Sequence, residues 1–277
     1  MSFYKYFMIG LVLLLAMPIV GCANSSKTGL ALEAELKALR ETRAATTEVQ
    51  SYRVEVSSTY TEGGETLEST LELEFVAPDR YHWKACKNGD WEESIIIGDK
   101  VYSRGSDNDQ WREVELSPNV LEAQRSSLKA SIPSAENTLR LLDSLTDLRR
   151  LPDEKIDGID CLHCCGRVDM DRKVEKEKAE MMATLDPSKP GYQERLKSHE
   201  LMWGWQRKWE IDYELWISRE DCLVRQQRYE MEMPAMESPT GEIMQGEMKG
   251  AMLMHYYDIN EPINIKPPKM LSEEAQQ

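Results

Sequence analysis

The chain has 277 residues and carries 34 lysines and arginines against 49 aspartates and glutamates, a net charge of −15. So acidic a chain repels phosphate backbones, which argues against nucleic acid as a partner, and it is pushed off anionic lipid surfaces. The length suits one large β-rich domain or two small ones, with enough chain to bury a sizeable core.

The first predicted element is a targeting segment. Lys5 precedes an almost unbroken apolar run from Ile9 to Val20. That run is too short to span a bilayer, which takes ~20 residues, and suits the core of a signal peptide. Ile19, Val20, Gly21 and Cys22 follow as "IVGC". This resembles the lipobox of bacterial lipoproteins. The resemblance implies cleavage before Cys22, a diacylglycerol on its thiol, and an added palmitate-type chain. Residues 1–21 are then a lipoprotein signal peptide and 22–29 a lipidated tether, which would keep the protein extracytoplasmic, on the cell membrane or on an outer membrane if the organism has one. A cleaved secretory signal with an incidental cysteine, or an uncleaved anchor, are the alternatives. Ala23 is not aspartate, so the inner-membrane retention signal of some diderm bacteria is absent.

Leu30 to Val49 has helical spacing at Leu32, Leu36 and Leu39. A period of two then takes over. Tyr52, Val54, Val56 and Tyr60 alternate with polar residues, Gly63-Gly64 marks a turn, and Leu67, Leu71, Leu73 and Phe75 continue the pattern. Tyr81, Trp83 and Ala85 share a face before the hairpin signal Asn88-Gly89. "WEESIIIGDKVYSRG" reads as two strands and "QWREVEL" as a sixth. These strands follow one another with short turns, which is an antiparallel meander with one wet face.

A helical period returns from Val120 to Leu148, with Leu139, Leu142 and Leu145 as a stripe and Ser134 as N-cap. "LRRLPDEKIDG" and "IDCLHCCGRVDM" read as strands. Residues 171–208 are charged and helix-prone around "PSKPG", a helical insertion in a hairpin. Two further strands flank Arg219-Glu220-Asp221, one or two more close the sheet, and "EPINIKPPKM" is extended ahead of a disordered tail at 269–277.

The phrases "SYRVEVS", "PDRYHWKA", "SIIIGDKVYSRG" followed by "WREV", "KIDGIDCLHCCGRVD", "YELWISRED" and "YYDINEPINIKPP" carry a family resemblance in their order. The chain looks like a lipoprotein of the LolA-like superfamily of LppX-LprG type, across residues 30–268 with the 171–208 insertion. The resemblance implies an α+β fold: a strongly curved antiparallel sheet, an incomplete β-barrel, with helices packed over the concave face. It implies an apolar cavity between sheet and helices, and a lipid or other hydrophobic ligand as partner. Candidate lining residues are Val54, Val56, Leu71, Leu73, Trp83, Ile96, Leu215, Met252 and Met254. Met244, Met248, Met252 and Met254 fall on one parity, as do Met231 and Met233. Methionine adapts to irregular apolar surfaces, so the stripe reads either as a lining for acyl chains or as core filling.

"CLHCC" is the sharpest local motif. On a strand Cys161, His163 and Cys165 share one face and Cys164 the other. Pairing of 159–169 with 209–218 would put residue 161 opposite 218 and bring Cys222 close, so a Cys161–Cys222 disulfide is one reading. Buried free thiols and a metal or redox site are the others. Trp203, Trp205 and Trp209 read as a lid, a partner patch or a membrane-touching edge, or as packing of the insertion on the sheet. "KVEKEKAE" reads as a solvated helix face. His82, His163, His199 and His255 are scattered, and no Ser/His/Asp spacing, phosphate loop or HExxH motif occurs. The reading is therefore a non-enzymatic binding protein with no cofactor. The alternative is a surface adaptor with a filled core, acting through an envelope protein partner.

Overall fold

The computed structural model describes residues 48–184, 186, 188–189, 191–237 and 243–270. The expected signal peptide, Cys22, the tether and the first helix lie outside these residues, except that Glu48 and Val49 are described and not helical.

Six strands follow in sequence: β1 (Ser51–Glu62), β2 (Glu65–Val76), β3 (Arg80–Lys87), β4 (Asp90–Ile97), β5 (Lys100–Gly105) and β6 (Asn108–Val114). Each hairpins onto the one before it. The β3–β4 turn, Asn88-Gly89, takes φ of 51° and 91°, the left-handed pair that matches the twist of the flanking strands. The chain then crosses through α1 (Pro118–Ala130) and α2 (Ala135–Asp143). A second meander follows: β7 (Leu145–Arg150), β8 (Glu154–Ile156), β9 (Ile159–Val168), helices α3 (Met170–Thr184) and α4 (Tyr192–Gln206), β10 (Glu210–Ser218), β11 (Val224–Met233), the short pair β12 (Met236–Glu237) and β13 (Ile243–Gln245), and β14 (Met248–Tyr257).

The sheet order is β6-β5-β4-β3-β2-β1-β14-β11-β10-β9-β7, with β8 also on β9. This 12-stranded curved sheet does not close. The segment from β6 to β7 carries α1 and α2 from one free edge to the other, and their Leu121, Leu139 and Leu142 belong to the same apolar core as the concave face. The architecture is α+β, an incomplete antiparallel barrel with helices on its concave side.

The helical run expected to reach Leu148 ends earlier. Ser134 caps α2, its hydroxyl accepting the Asn137 N–H at 3.1 Å. Leu139 and Leu142 are buried beneath it, but Leu145 already pairs with Val168 in β7. The closing methionines also divide: Met248, Met252 and Met254 are buried in β14, whereas Met244 sits in β13 and is 59% exposed.

The convex face is polar and cross-linked by charge. A row runs Asp258, Arg53, Glu74, His82, Glu93, Arg104 across β14's end and the first five strands. Both imidazole nitrogens of His82 face carboxylates, Glu74 at 3.0 Å and Glu93 at 2.8 Å. Arg104 ends the row between Trp91 and Trp111, 5.6 and 4.7 Å from their ring centroids. The extended segment after β14 lies on this face too, where Ile265 buries against Ile95 and Tyr102.

Candidate ligand-binding face

Strand register decides which side chains meet on the concave face. One row runs Trp83, Leu73, Val54, Tyr256. The next runs Leu71, Val56, Met254, Gln227, Leu215, Cys164. A third runs Ser69, Ser58, Met252, Tyr229, Tyr213, Gly166. On the far side of the first row lie Tyr52, Phe75, Tyr81 and Ile96. Side chains alternate along a strand, so rows two residues apart share a face. All nine residues proposed to line a cavity, Val54, Val56, Leu71, Leu73, Trp83, Ile96, Leu215, Met252 and Met254, therefore sit on one surface. All but the half-buried Leu71 are buried.

The same parity adds residues that were not singled out. Tyr52, Tyr81, Tyr213, Tyr229 and Tyr256 point inward, and burial raises the pKa of all five phenols, that of Tyr213 to about 12. They act as neutral, apolar-bodied groups at any physiological pH. Their hydroxyls are satisfied unevenly. Tyr52 Oη reaches Ser131 Oγ at 3.2 Å and Gln227 donates to Tyr256 Oη at 3.4 Å, whereas buried Tyr81 Oη has no partner among the described residues. Ser58 and Ser69 bond to each other at 2.5 Å. Gly166 lies where β7 crowds β9: a Cβ there would meet the Thr146 carbonyl oxygen at 3.0 Å, so a larger residue would have to push β7 away.

Helix α1 roofs one end of this face. Its downward side carries Leu121, Gln124, Arg125 and Leu128, one helical face at i, i+3, i+4 and i+7. Only Leu121 is buried and Leu128 is half-buried. Arg125 donates to the Gly98 carbonyl and to Asp99, 3.2 Å away, in the β4–β5 turn. Beneath the helix lies a crevice of about 20 Å³ lined by Trp83, Glu92, Ser94, Val101, Ser103, Val114, Leu116 and Gln124. That is room for one water, against the ~300–1,000 Å³ of a small-molecule pocket. This crevice is closed in by the chain's own side chains.

The other expected features resolve as follows. Cys161 lies opposite Ser218, as the strand pairing implies, with Cys161, His163 and Cys165 facing outward and Cys164 inward. The Cys161–Cys222 disulfide is not formed: both are free, buried thiols, as is Cys164, half-buried Cys86 is free as well, and Cys165 is buried. Cys161 Sγ instead donates to the Ile159 carbonyl at 3.5 Å. Burial pushes the Cys161 and Cys222 thiols up, and that of Cys164 to about 12. His163 stacks on Trp216 at 4.3 Å between the Pro152 carbonyl and Glu214, and no metal-binding group of three or more ligands forms among the described residues. Trp205 joins the inner core, donating to the Pro234 carbonyl at 2.6 Å and meeting Trp209 edge-on at 5.0 Å. Trp203 is buried as well, with Lys178 of α3 over its ring. The three tryptophans pack the insertion rather than leaving it free.

No protein-family model and no curated protein matches the chain. Among solved structures it is similar to the Mycobacterium tuberculosis lipoprotein LppX, with a TM-score of 0.45 and 16% identity over 86% of this chain and 100% of that one. It is also similar to LprF from Mycobacterium bovis, at 0.43 and 11% over 85% and 97% of the two chains. A LolA superfamily protein from Nitrosomonas europaea matches at 0.24 and 9%, over 80% and 90%.

Proposed function

We propose that the protein is an exported lipoprotein, held on a membrane through Cys22 after removal of residues 1–21, whose domain from 30 to 268 binds a lipid or another hydrophobic ligand between sheet and helices. One observation carries this reading: an inward surface rich in methionine and aromatic side chains has one end roofed by α1, whose Leu121 and Leu128 pack on it and whose Arg125 holds the β4–β5 turn. Methionine repacks at low cost, so Met231, Met233, Met248, Met252 and Met254 form a wall that adapts to a guest.

The closed crevice sets the mechanism. A ligand enters by lifting α1 off the sheet. The apolar hold of α1 is Leu121 and Leu128, worth roughly 1.5–3 kcal/mol each when fully buried. A twelve-carbon chain gains roughly 10 kcal/mol at ~0.8 kcal/mol per methylene. The exchange favours the guest even after ordering costs of several kcal/mol.

The test is uptake of a fluorescent apolar probe by purified protein, with mass spectrometry of organic extracts. Leu71 is half-buried on the inner face, so Leu71→Trp fills space without demanding collapse of the core. Uptake is expected in the wild type, and at least ~10-fold weaker in the variant, equal to 1.4 kcal/mol or more. A wild type that takes up nothing and yields no extractable lipid overturns the reading and leaves the filled-core adaptor.

A further inference from the structure

Two phenols of the inward aromatic row fare differently. Tyr52, Phe75 and Tyr81 pack ring to ring, with successive centroids 5.4 and 5.1 Å apart, and both tyrosines are 0% exposed. Tyr52 Oη reaches Ser131 Oγ, at the C-cap of α1, at 3.2 Å. Tyr81 Oη has no hydrogen-bond partner among the described residues, and neither has Arg125 Nε on the same helix. The two belong to one corner of the fold. Tyr81 pairs with Ile96 across β3 and β4, two residues before Gly98, whose carbonyl accepts from Arg125. Burial raises the Tyr81 pKa, the Arg125 guanidinium opposes that rise, and Asp79 and Glu122 add to it. A buried donor left unpaired is costly, and few are found in folded proteins. Three other buried side-chain atoms are unpartnered among the described residues, in different settings. Gln206 Oε1 and Trp209 Nε1 are an acceptor and a donor three residues apart, complementary to each other. Arg225 stands alone, tied to Asp221 of the β10–β11 turn. Tyr81 and Arg125 differ in setting two donors across one junction, the sheet below and α1 above.

We propose that Tyr81 Oη and Arg125 Nε together take a neutral carbonyl oxygen on the polar end of the guest. The inference rests on the ligand-binding reading above and adds a chemical feature of the ligand. A guanidinium N–H only donates, the hydroxyl has a proton to give, and a carbonyl oxygen has a lone pair for each. Three carboxylates, Asp79, Asp99 and Glu122, stand about this corner against the one guanidinium, which disfavours an anionic head. The apolar remainder of the guest would lie over Trp83, Leu73 and Val54, the next row of the same face. Tyr81 belongs to the sheet and Arg125 to α1, so a carbonyl held by both ties the helix back down over the occupied face.

The test is Tyr81→Phe, read in two ways. In the ligand-free protein, loss of an unpaired hydroxyl is expected to leave the melting temperature unchanged or to raise it. A clear fall would show the hydroxyl to be partnered already, by Asp79 or by a water, and overturns the site. In displacement of the apolar probe, methyl decanoate is the carbonyl-bearing guest and decanoate its charged counterpart, with high ionic strength suppressing long-range repulsion from the acidic surface. Tyr81→Phe should weaken methyl decanoate at least ~5-fold more than it weakens the probe, because it leaves a buried carbonyl short of a donor. Tyr52→Phe removes a paired hydroxyl from the same row, and should lower the melt without that discrimination. Equal weakening of probe and ester by Tyr81→Phe overturns the carbonyl site while leaving the apolar site standing. So does a wild type that binds decanoate more tightly than its methyl ester. No uptake of any of the three overturns both readings.

Discussion

Glu93 is the least exposed carboxylate of the convex row, at 11%. Burial alone would raise its pKa, but hydrogen bonds from His82 and Arg104 outweigh this and hold it below the ordinary glutamate value. Glu74 is held down in the same way against its burial, by Arg53 and His82. A carboxylate with a depressed folded value contributes stability above its unfolded value, and that contribution is lost as pH falls through the folded value. Glu93→Gln is therefore expected to cost about 1–2 kcal/mol near neutral pH, after discount for the half-exposed Arg104. Thermal melts across pH should show the gap between wild type and variant shrinking below the ordinary glutamate range; a constant gap would contradict the account. The polarity of Arg53, Glu74, His82 and Glu93 is plain from strand alternation. Their pairing is not, because it depends on a register that several turns set together. Alternation likewise gives the facing of Cys161 and Cys164, but not whether Cys161 and Cys222 join.

At the scale of elements, α3 and α4 interrupt a hairpin without forming part of it. Ile211 and Val168 bring β10 onto β9 on either side of the insertion, and the pairing continues to Ser218 and Cys161. Joining Asp169 to Trp209 through Asn-Gly should therefore preserve the sheet. Circular dichroism is expected to lose helical signal and keep the β signal, with a lower but still cooperative melt, because Trp205 and its contact to Pro234 go with the helices. A non-cooperative melt would show that the sheet does not hold together without the insertion. This element was legible because its charge pattern departs so far from alternation. The end of α2 was not: Leu139, Leu142 and Leu145 fit a helical stripe, yet Leu145 is claimed by Val168 across the sheet. Tertiary pairing overrides local spacing there.

For the whole molecule, the two meanders follow from consecutive alternating segments with short turns, and the architecture follows from their order around a helical crossover. The charge makes one further prediction at this scale. A chain of net charge −15 has no electrostatic attraction to anionic membranes, so its attachment falls wholly to the proposed acyl chains. Cys22→Ser should abolish labelling with radioactive palmitate and move the protein out of the membrane fraction; unchanged sedimentation would refute the anchor. Least legible was the junction of the halves. β1 pairs with β14 over ten residues from Arg53 to Glu62, and the Tyr257 hydroxyl reaches Glu55 from 202 positions away.

That seam also sets the order in which the protein can assemble. Every other strand partner of the large sheet lies within its own half of the chain, so each half can zip up early from local loops. Among the described strands only the β1–β14 seam demands closure of a long loop, and β14 is synthesised after every other strand of the sheet. Non-local closure is the slow step in folding. Until it is made, each half presents a raw strand edge, and the nascent chain is at its most vulnerable to sticking to its neighbours.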